Sequence, residues 1–203
     1  MRHKPLMLFI FTTIISSGTA SANIISAQAN QAVSNPQVTV KSITQQIIDL
    51  ELQQAMLDAT FTPQNPVMQN TNRKLQSLRK NLAQLQPQGG KTAVDIAVSQ
   101  AIKARIGELA VERALLNVTY TPTSPVIQDR ERKIKSLNKR FLQLQPNNQT
   151  ALNVAISQAI KAKMEELKIE RALLQTKYST THPGIVQINS QLRSLETHLV
   201  SRR

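Results

Sequence analysis

The sequence of 203 residues contains no cysteine and no tryptophan, and aromatic residues make up only 3% of it. The absence of cysteine excludes a disulfide scaffold, a cysteine-ligated metal site, a cysteine nucleophile and a lipoprotein anchor. Three histidines and five glycines leave little material for histidine-ligated metal sites or glycine-rich phosphate loops. We therefore predict no catalytic residue, no cofactor and no metal site, and do not expect an enzyme.

The N-terminus has the pattern of an exported protein. Two basic residues precede an apolar run over residues 5–16, and a small-residue cleavage pattern follows at residues 20–22. We predict a signal peptide over residues 1–22, cleaved between Ala22 and Asn23. An uncleaved membrane anchor is the alternative, but the apolar run is shorter than the ~20 residues that a spanning helix requires.

The signal peptide predicts that the mature chain lies in the periplasm or is secreted. No later stretch is apolar enough to span a bilayer, so the mature chain is expected to be soluble. Residues 23–38 are rich in Gln, Asn, Ser and Ala and show no periodicity. This composition predicts a flexible linker.

The remainder of the chain is an internal repeat. A turn that pairs an aromatic residue with a proline recurs at Phe61, Tyr120 and Tyr178, with spacings of 59 and 58 residues. Each repeat predicts a long helix, a turn and a shorter helix, with apolar residues at a sustained period of ~3.5 residues. The sequence therefore predicts an all-α fold of six helices in three tandem antiparallel coiled-coil hairpins, over residues 39–87, 92–146 and 150–203.

Turn chemistry and a second apolar stripe refine this prediction. Asn65 and Ser124, each before a proline, are predicted N-caps of short helices, and Thr92 and Thr150 are predicted N-caps of long helices. The aromatic turn residues are predicted to close the hairpin tips as part of the core. Only the long helices carry a second stripe, so we expect them to pack centrally, on each other or on another subunit. The short helices are then expected outside, each with one partner. The stripe includes Val111 and Leu115 in repeat two, and Ile169 and Leu173 in repeat three.

Polar residues interrupt both stripes at recurring positions. The first stripe, formed by the apolar residues at the ~3.5-residue period, is called the main seam. It is interrupted by Gln54, Arg113 and Arg171. They indicate either a buried polar layer that fixes register or binds a ligand, or arginines that reach solvent at the hairpin edge. The second stripe is interrupted by Asp49, Glu108 and Glu166. A metal array is one reading, but pairing with Arg105 and Lys163, three residues before Glu108 and Glu166, is favoured. His182, alone in its turn, is expected at the surface.

The formal net charge is +13, and loss of residues 1–22 leaves 23 basic and 12 acidic residues, a net charge of +11. The first two short helices carry a net +4 each. Their candidate polyanion-binding residues are Arg73, Lys74, Arg79, Lys80, Arg132, Lys133, Lys135, Lys139 and Arg140. Nucleic acid is the usual partner of so basic a protein, but export and the scarcity of aromatics favour anionic polysaccharide or lipid headgroups over nucleic acid. Charge that only aids solubility is the alternative.

The third turn carries a specific resemblance. Residues 173–186 contain a tyrosine, then His182 and Pro183, and apolar residues follow at heptad-like spacing to Leu199. This segment resembles the periplasmic coiled-coil hairpin of polysaccharide chain-length determinant and exopolysaccharide export proteins. The first two repeats keep the aromatic residue and the proline. The resemblance covers the hairpins alone, without that family's transmembrane helices or kinase domain, and it implies an envelope coiled-coil module.

These observations lead to two hypotheses for function. The first is a non-enzymatic, exported coiled-coil scaffold or adaptor of the cell envelope, linked to polysaccharide export, that forms a homo-oligomer or binds a coiled-coil envelope partner. The second is a soluble periplasmic binder or chaperone that holds an anionic glycan or lipid through the basic short helices.

Overall fold

The computed structural model describes residues 36–201, so the predicted signal peptide, its cleavage site at Ala22 and Asn23, and most of the predicted linker lie outside the described residues. Regular structure in residues 36–201 consists of six helices, which confirms the all-α fold class. The helices are α1 (Pro36–Leu57), α2 (Pro66–Leu85), α3 (Gly90–Leu116), α4 (Pro125–Leu144), α5 (Gln149–Gln175) and α6 (Pro183–Val200). None of these six combines the length and hydropathy that a membrane crossing demands.

The helices pack as consecutive pairs, α1 with α2, α3 with α4 and α5 with α6. Each pair is antiparallel, and a polar contact joins its two helices at the same position of the repeat. Gln54 donates to Asn72, Arg113 lies 3.3 Å from Glu131, and Arg171 donates to Asn189 over 3.1 Å. All three long-helix residues are half-buried. This recurrence favours the interpretation of a polar layer that fixes register within each pair.

Helix α3 is the centre of the molecule, because it contacts each of the other five helices. The long helices pack on one another in the order α1, α3, α5, which is one of the two arrangements that the second stripe predicts. The prediction of a single partner for each short helix is wrong, since α2 and α6 also contact α3, and α4 also contacts α1. The extra contacts use polar side chains such as Arg140 and Ser194, which a pattern of apolar residues does not reveal.

The main seams supply a continuous core to which all six helices contribute. Burial of each such side chain stabilises the fold by roughly 1.5–3 kcal/mol. The most deeply buried members from α1 to α6 include Ile47, Leu75, Ile102, Leu137, Ile160 and Leu195.

The aromatic residues of the turns are not part of this core, contrary to prediction. The exposed fractions of Phe61, Tyr120 and Tyr178 are 41%, 44% and 48%. Backbone hydrogen bonds close the tips instead, such as the one from Phe61 N–H to the Leu57 carbonyl. The ring of Tyr178 stacks on His182, with centroids 4.2 Å apart.

The short helices begin where the sequence predicts. Asn65 is the N-cap of α2, and its side chain accepts a hydrogen bond from Val67 N–H over 2.9 Å. Ser124 is the N-cap of α4 without a side-chain cap bond. His182 takes the corresponding place before α6, where its Nδ1 accepts from Gly184 N–H. This histidine is half-buried rather than a plain surface residue.

The long helices begin earlier than predicted, so Thr92 and Thr150 lie inside α3 and α5 rather than at their N-caps. The observed N-caps are Gly89 and Asn148. A left-handed residue stands beside each start, Gly89 with φ of 80° and Asn147 with φ of 67°. This conformation turns the chain tightly and brings the backbone into helix before the threonine is reached.

Candidate functional site

The nine predicted polyanion-binding residues divide between two helices, and the structure gathers only some of them. Arg73, Lys74 and Lys80 are exposed on α2. On α4, Lys133 bonds Asp129 over 2.8 Å. The other four basic residues of the α4 set lie together in one groove.

This groove lies between the C-terminal end of α1 and helix α4, and its volume is about 630 Å³. We call it the α4 groove. It is lined by Asp58, Ala59, Arg132, Lys135, Ser136, Asn138, Lys139, Arg140, Leu142 and Gln143. Four cations against one carboxylate make it strongly electropositive.

Three of the cations form a row along α4. Arg132, Lys135 and Lys139 follow one another at steps of three and four residues, so they share one helical face and span roughly 10 Å. All three are exposed. None of them forms an ion pair with an acidic side chain in residues 36–201.

Arg140 has a different environment at the inner wall of the groove. Its Nε donates to Oε2 of Glu51 over 2.8 Å, and its Nη2 donates to Oε1 over 2.9 Å. The same carboxylate accepts from Nη2 of Arg79 over 2.6 Å. Glu51 is only 2% exposed, so two arginines from two short helices neutralise one buried acid of α1. Arg79 and Arg140 are therefore half-buried and paired with an acid, unlike the exposed cations of the same two helices.

Asp58 is the one acid of the groove. Burial raises the pKa of this carboxyl above its ordinary value of 3.8, while Lys139 and Arg140 lower it to a smaller extent. The groove thus places a carboxyl with a raised pKa at the end of a row of cations.

The corresponding place in the third repeat carries fewer basic residues. Positions related by the repeat spacing put Ser190, Arg193, Thr197 and His198 of α6 where α4 has its four groove cations. There Ser194 Oγ donates to the Ala114 carbonyl of α3 over 2.5 Å. Its equivalent on α4, Ser136, lines the open groove instead. The row of cations on α4 is therefore a feature of the second repeat that the third repeat does not share.

The acids of the second stripe make the local contacts that were favoured over a metal array. Glu108 pairs with Arg105 at 2.7 Å, and Glu166 pairs with Lys163 at 2.8 Å. Asp49 accepts a hydrogen bond from Gln45. Among residues 36–201, no three His, Cys, Asp or Glu side chains come together where they could hold a metal ion.

Sequence reasoning missed two acids that define the site, Glu51 and Asp58. Glu51 lies on α1 and Asp58 directly follows its last residue, and their positions against α4 join repeats rather than the two helices of one repeat. One signal was present: Glu51 stands at the repeat position occupied by Ala110 in α3, which is unusual for a position that faces another helix.

Searches against protein-family models, curated proteins and solved structures found no match for this chain.

Proposed function

We propose that this chain is a non-enzymatic, exported scaffold or adaptor of the cell envelope that binds an anionic polymer in the α4 groove. The observation that supports the proposal is the row of Arg132, Lys135 and Lys139, which is exposed, lies beside an open groove and forms no ion pair with an acidic side chain of residues 36–201. The stacked helix pairs support the role of a scaffold, and the predicted signal peptide supports export to the cell envelope.

The spacing of the cations favours a polymer over a single small anion. An exposed ion pair contributes only about 0.2–1 kcal/mol, so one anion would be held weakly. A ligand with charges repeated along its length engages the whole row, and the contributions add. An acidic polysaccharide has this chemistry and fits both the predicted compartment and the resemblance to polysaccharide export hairpins.

Nucleic acid fits the groove less well. Proteins that hold single strands combine cations with aromatic side chains on which bases stack. The residues that line the α4 groove include no aromatic side chain. A surface of anionic lipid headgroups is the second candidate ligand, and it is compared directly in the experiment below.

The proposal is tested by titrating the purified chain with polygalacturonate, and separately with vesicles containing an anionic phospholipid, at low and high salt. We expect polygalacturonate binding that weakens steeply with salt, because exposed charges are screened. The triple variant R132Q/K135Q/K139Q should lose affinity by about tenfold, from three exposed ionic contacts.

The matched control is R73Q/K74Q/K80Q, which removes the same charge from α2. It should bind nearly as well as the wild-type chain. Equal losses in the two variants would mean that net charge alone attracts the polymer. Absence of polygalacturonate binding at low salt would overturn the proposal, and binding to vesicles alone would replace the polysaccharide with a lipid surface.

A further inference from the structure

Helix α6 differs from the other short helices in having a histidine at each end. His182 is its N-cap, and His198 lies in its last turn. Both are half-buried. The residues at the corresponding places are Asn65 and Asn81 in the first repeat, and Ser124 and Arg140 in the second. The third helix pair therefore has two groups that ordinarily change charge near neutral pH, at positions where the other pairs have none.

The hydrogen bond of His182 requires a neutral imidazole. Its Nδ1 accepts from Gly184 N–H over 3.2 Å. A backbone N–H can only donate, so Nδ1 carries no hydrogen and the neutral ring is protonated on Nε2. The titratable residues nearest to it along the chain are Lys177 and Tyr178, whose ring stacks on His182, and Glu170 of α5 lines a pocket with Gly184. A second proton would turn Nδ1 into a donor that faces another donor, at the end of a helix where a cation is unfavourable.

His198 is also held as a neutral ring, but in the opposite tautomer. Its Nδ1 lies 3.3 Å from the Ser194 carbonyl, which can only accept, so Nδ1 carries the hydrogen. Its Nε2 lies 3.1 Å from Nη2 of Arg113, which can only donate, and 3.4 Å from Nδ2 of Asn117. Nε2 of the neutral ring is thus the acceptor of a bond that fastens α6 to α3.

Protonation of His198 would bring two cations together. The new hydrogen on Nε2 would point at the guanidinium of Arg113, 3.1 Å away. Glu131 of α4 offsets part of the repulsion, because it lies 3.3 Å from the same guanidinium. The C-terminal end of α6 also favours a cation, but the guanidinium is in direct contact with the ring.

The remaining charged residues at this level of the helix pair do not compensate the added charge. Arg171 meets Asn189 in the antiparallel pair, so His198 lies level with residue 162 of α5. The charged residues around this level are Lys161, Lys163 and Glu166 on α5, and Arg193 and Glu196 on α6. Three bases thus stand against two acids.

We infer that α6 is an acid-sensitive helix: protonation of His182 and His198 removes the bonds at both of its ends and loosens it from α3 and α5. Helix α6 is fastened while both rings are neutral, and it is loosened as pH falls through the range in which imidazoles gain a proton. The first two helix pairs contain no histidine, so the effect is a local opening of α6 rather than unfolding of the whole chain. The inference is independent of ligand binding, since no residue that lines the α4 groove belongs to α6.

Amide hydrogen exchange of the full chain at about pH 7.5 and about pH 5 tests the inference, because histidine changes charge between these values while most carboxylates stay ionised. Rates are expressed as protection factors, which removes the intrinsic pH dependence of exchange. We expect the protection factors of α6 to fall by about tenfold or more at the lower pH, from the loss of two hydrogen bonds. Those of α2, which begins after Asn65 and contains no histidine, should change by less than about twofold.

The matched control is the variant H182N/H198Q, in which both substitutions keep an acceptor and remove the titration. Asparagine is the cap of the first repeat, where Asn65 accepts from a backbone N–H in the same way. The protection factors of α6 in this variant should be equal at the two pH values, and each single variant should show part of the effect. An equal loss in the wild-type chain and the double variant would assign the pH dependence to carboxylates and overturn the inference.

Unchanged protection of wild-type α6 at the lower pH would overturn it as well. That result would mean that the charged ring finds a new acceptor, such as the amide oxygen of Asn117 after a turn of its side chain.

The nitrogen chemical shifts of the imidazoles provide a measurement that does not depend on the stability of a variant. In the neutral wild-type chain, His182 should carry its hydrogen on Nε2 and His198 on Nδ1. The signals are assigned by their loss in H182N and in H198Q. The opposite tautomer at either residue would show that its bond to Gly184 or Arg113 is absent, and the inference would then fail.

Discussion

Arg140 of α4 and Glu51 of α1 are joined by two hydrogen bonds, of 2.8 Å and 2.9 Å, across 89 positions of the sequence. The acid is almost fully buried and also accepts from Arg79 of α2. One carboxylate thus connects three helices from two repeats. Because a buried charge is costly without its partners, we expect loss of this contact to disfavour the stacking of α4 on α1.

Removal of both arginines should destabilise the fold strongly. The variant R79M/R140M leaves the Glu51 carboxylate buried and without a cation, which we expect to cost about 3–5 kcal/mol of unfolding free energy. Urea denaturation measures the loss. Adding E51L should restore most of the stability, since the buried charge is then gone.

The control is K163M, which removes a partner of the exposed Glu166 and should cost less than ~1 kcal/mol. If R79M/R140M were no less stable than K163M, the buried carboxylate would not need its two arginines.

Gly107 should not tolerate even one added methyl group. Alanine is the better helix former by about 1 kcal/mol, but its Cβ would lie 2.9 Å from that of Ala159. Overpacking of this kind costs about 1–3 kcal/mol, so we expect G107A to be less stable in thermal denaturation. The double variant G107A/A159G removes the clash and should recover stability. A stabilised G107A would show that α3 and α5 are not in close contact here.

The contributions of Asp58 and Asp129 to the stability of the fold should change with pH in opposite directions. The pKa of Asp58 is raised in the fold, so the stability it confers is present below its unfolded value of 3.8 and is lost as pH rises through the folded value. The pKa of Asp129 is lowered, chiefly by the hydrogen bond from Lys133, so its stabilisation is present above 3.8 and is lost as pH falls through the folded value.

Melting temperatures of the two asparagine variants test this difference. At pH 7, D58N should be more stable than the wild-type chain and D129N less stable, and both differences should shrink towards pH 3. The D58N change also removes the one acid of the α4 groove, so polygalacturonate affinity should rise. A loss of stability in D58N at pH 7 would contradict the expected sign.

The two predicted N-caps, Asn65 and Ser124, should contribute unequally to the free energy of unfolding. Asn65 accepts a hydrogen bond from Val67 N–H, whereas the side chain of Ser124 makes no cap bond. We expect N65A to cost about 1 kcal/mol and S124A clearly less, as measured by urea denaturation. Equal costs would mean that backbone conformation rather than the side-chain bond determines the start of both helices.

Contacts within each helix pair were predictable from the sequence, because they follow the apolar period. The seam residues Ile102 and Leu137 are buried as the spacing indicates, and Asn65 lies at its cap. The starts of the long helices were not predictable with the same rule, since the left-handed backbone at Gly89 and Asn147 places the N-caps three residues before Thr92 and two before Thr150.

Contacts between repeats were largely hidden from sequence reasoning. The carboxylate of Glu51 and the hydroxyl of Ser194 bind groups on helices of other repeats, and no local spacing predicts such partners. The basic residues of the α4 groove were predicted to bind a polyanion from the net charge of the short helices alone. Their division into an exposed row and the buried contact of Arg140 depends on where α4 lies against α1, which only the fold determines.

The inter-repeat contacts also bear on misassembly during folding. Three similar helix pairs in one chain could dock out of order, or exchange between copies, because their apolar seams are nearly alike. Arg140 meets Glu51 when α4 lies on α1, whereas the equivalent partner of α6, His198, contacts Arg113 of α3. A second repeat docked on a copy of α3 would bring Arg140 against Arg113, and like charges would oppose each other. The unequal charges therefore disfavour the docking of the second repeat on α3 in place of the third.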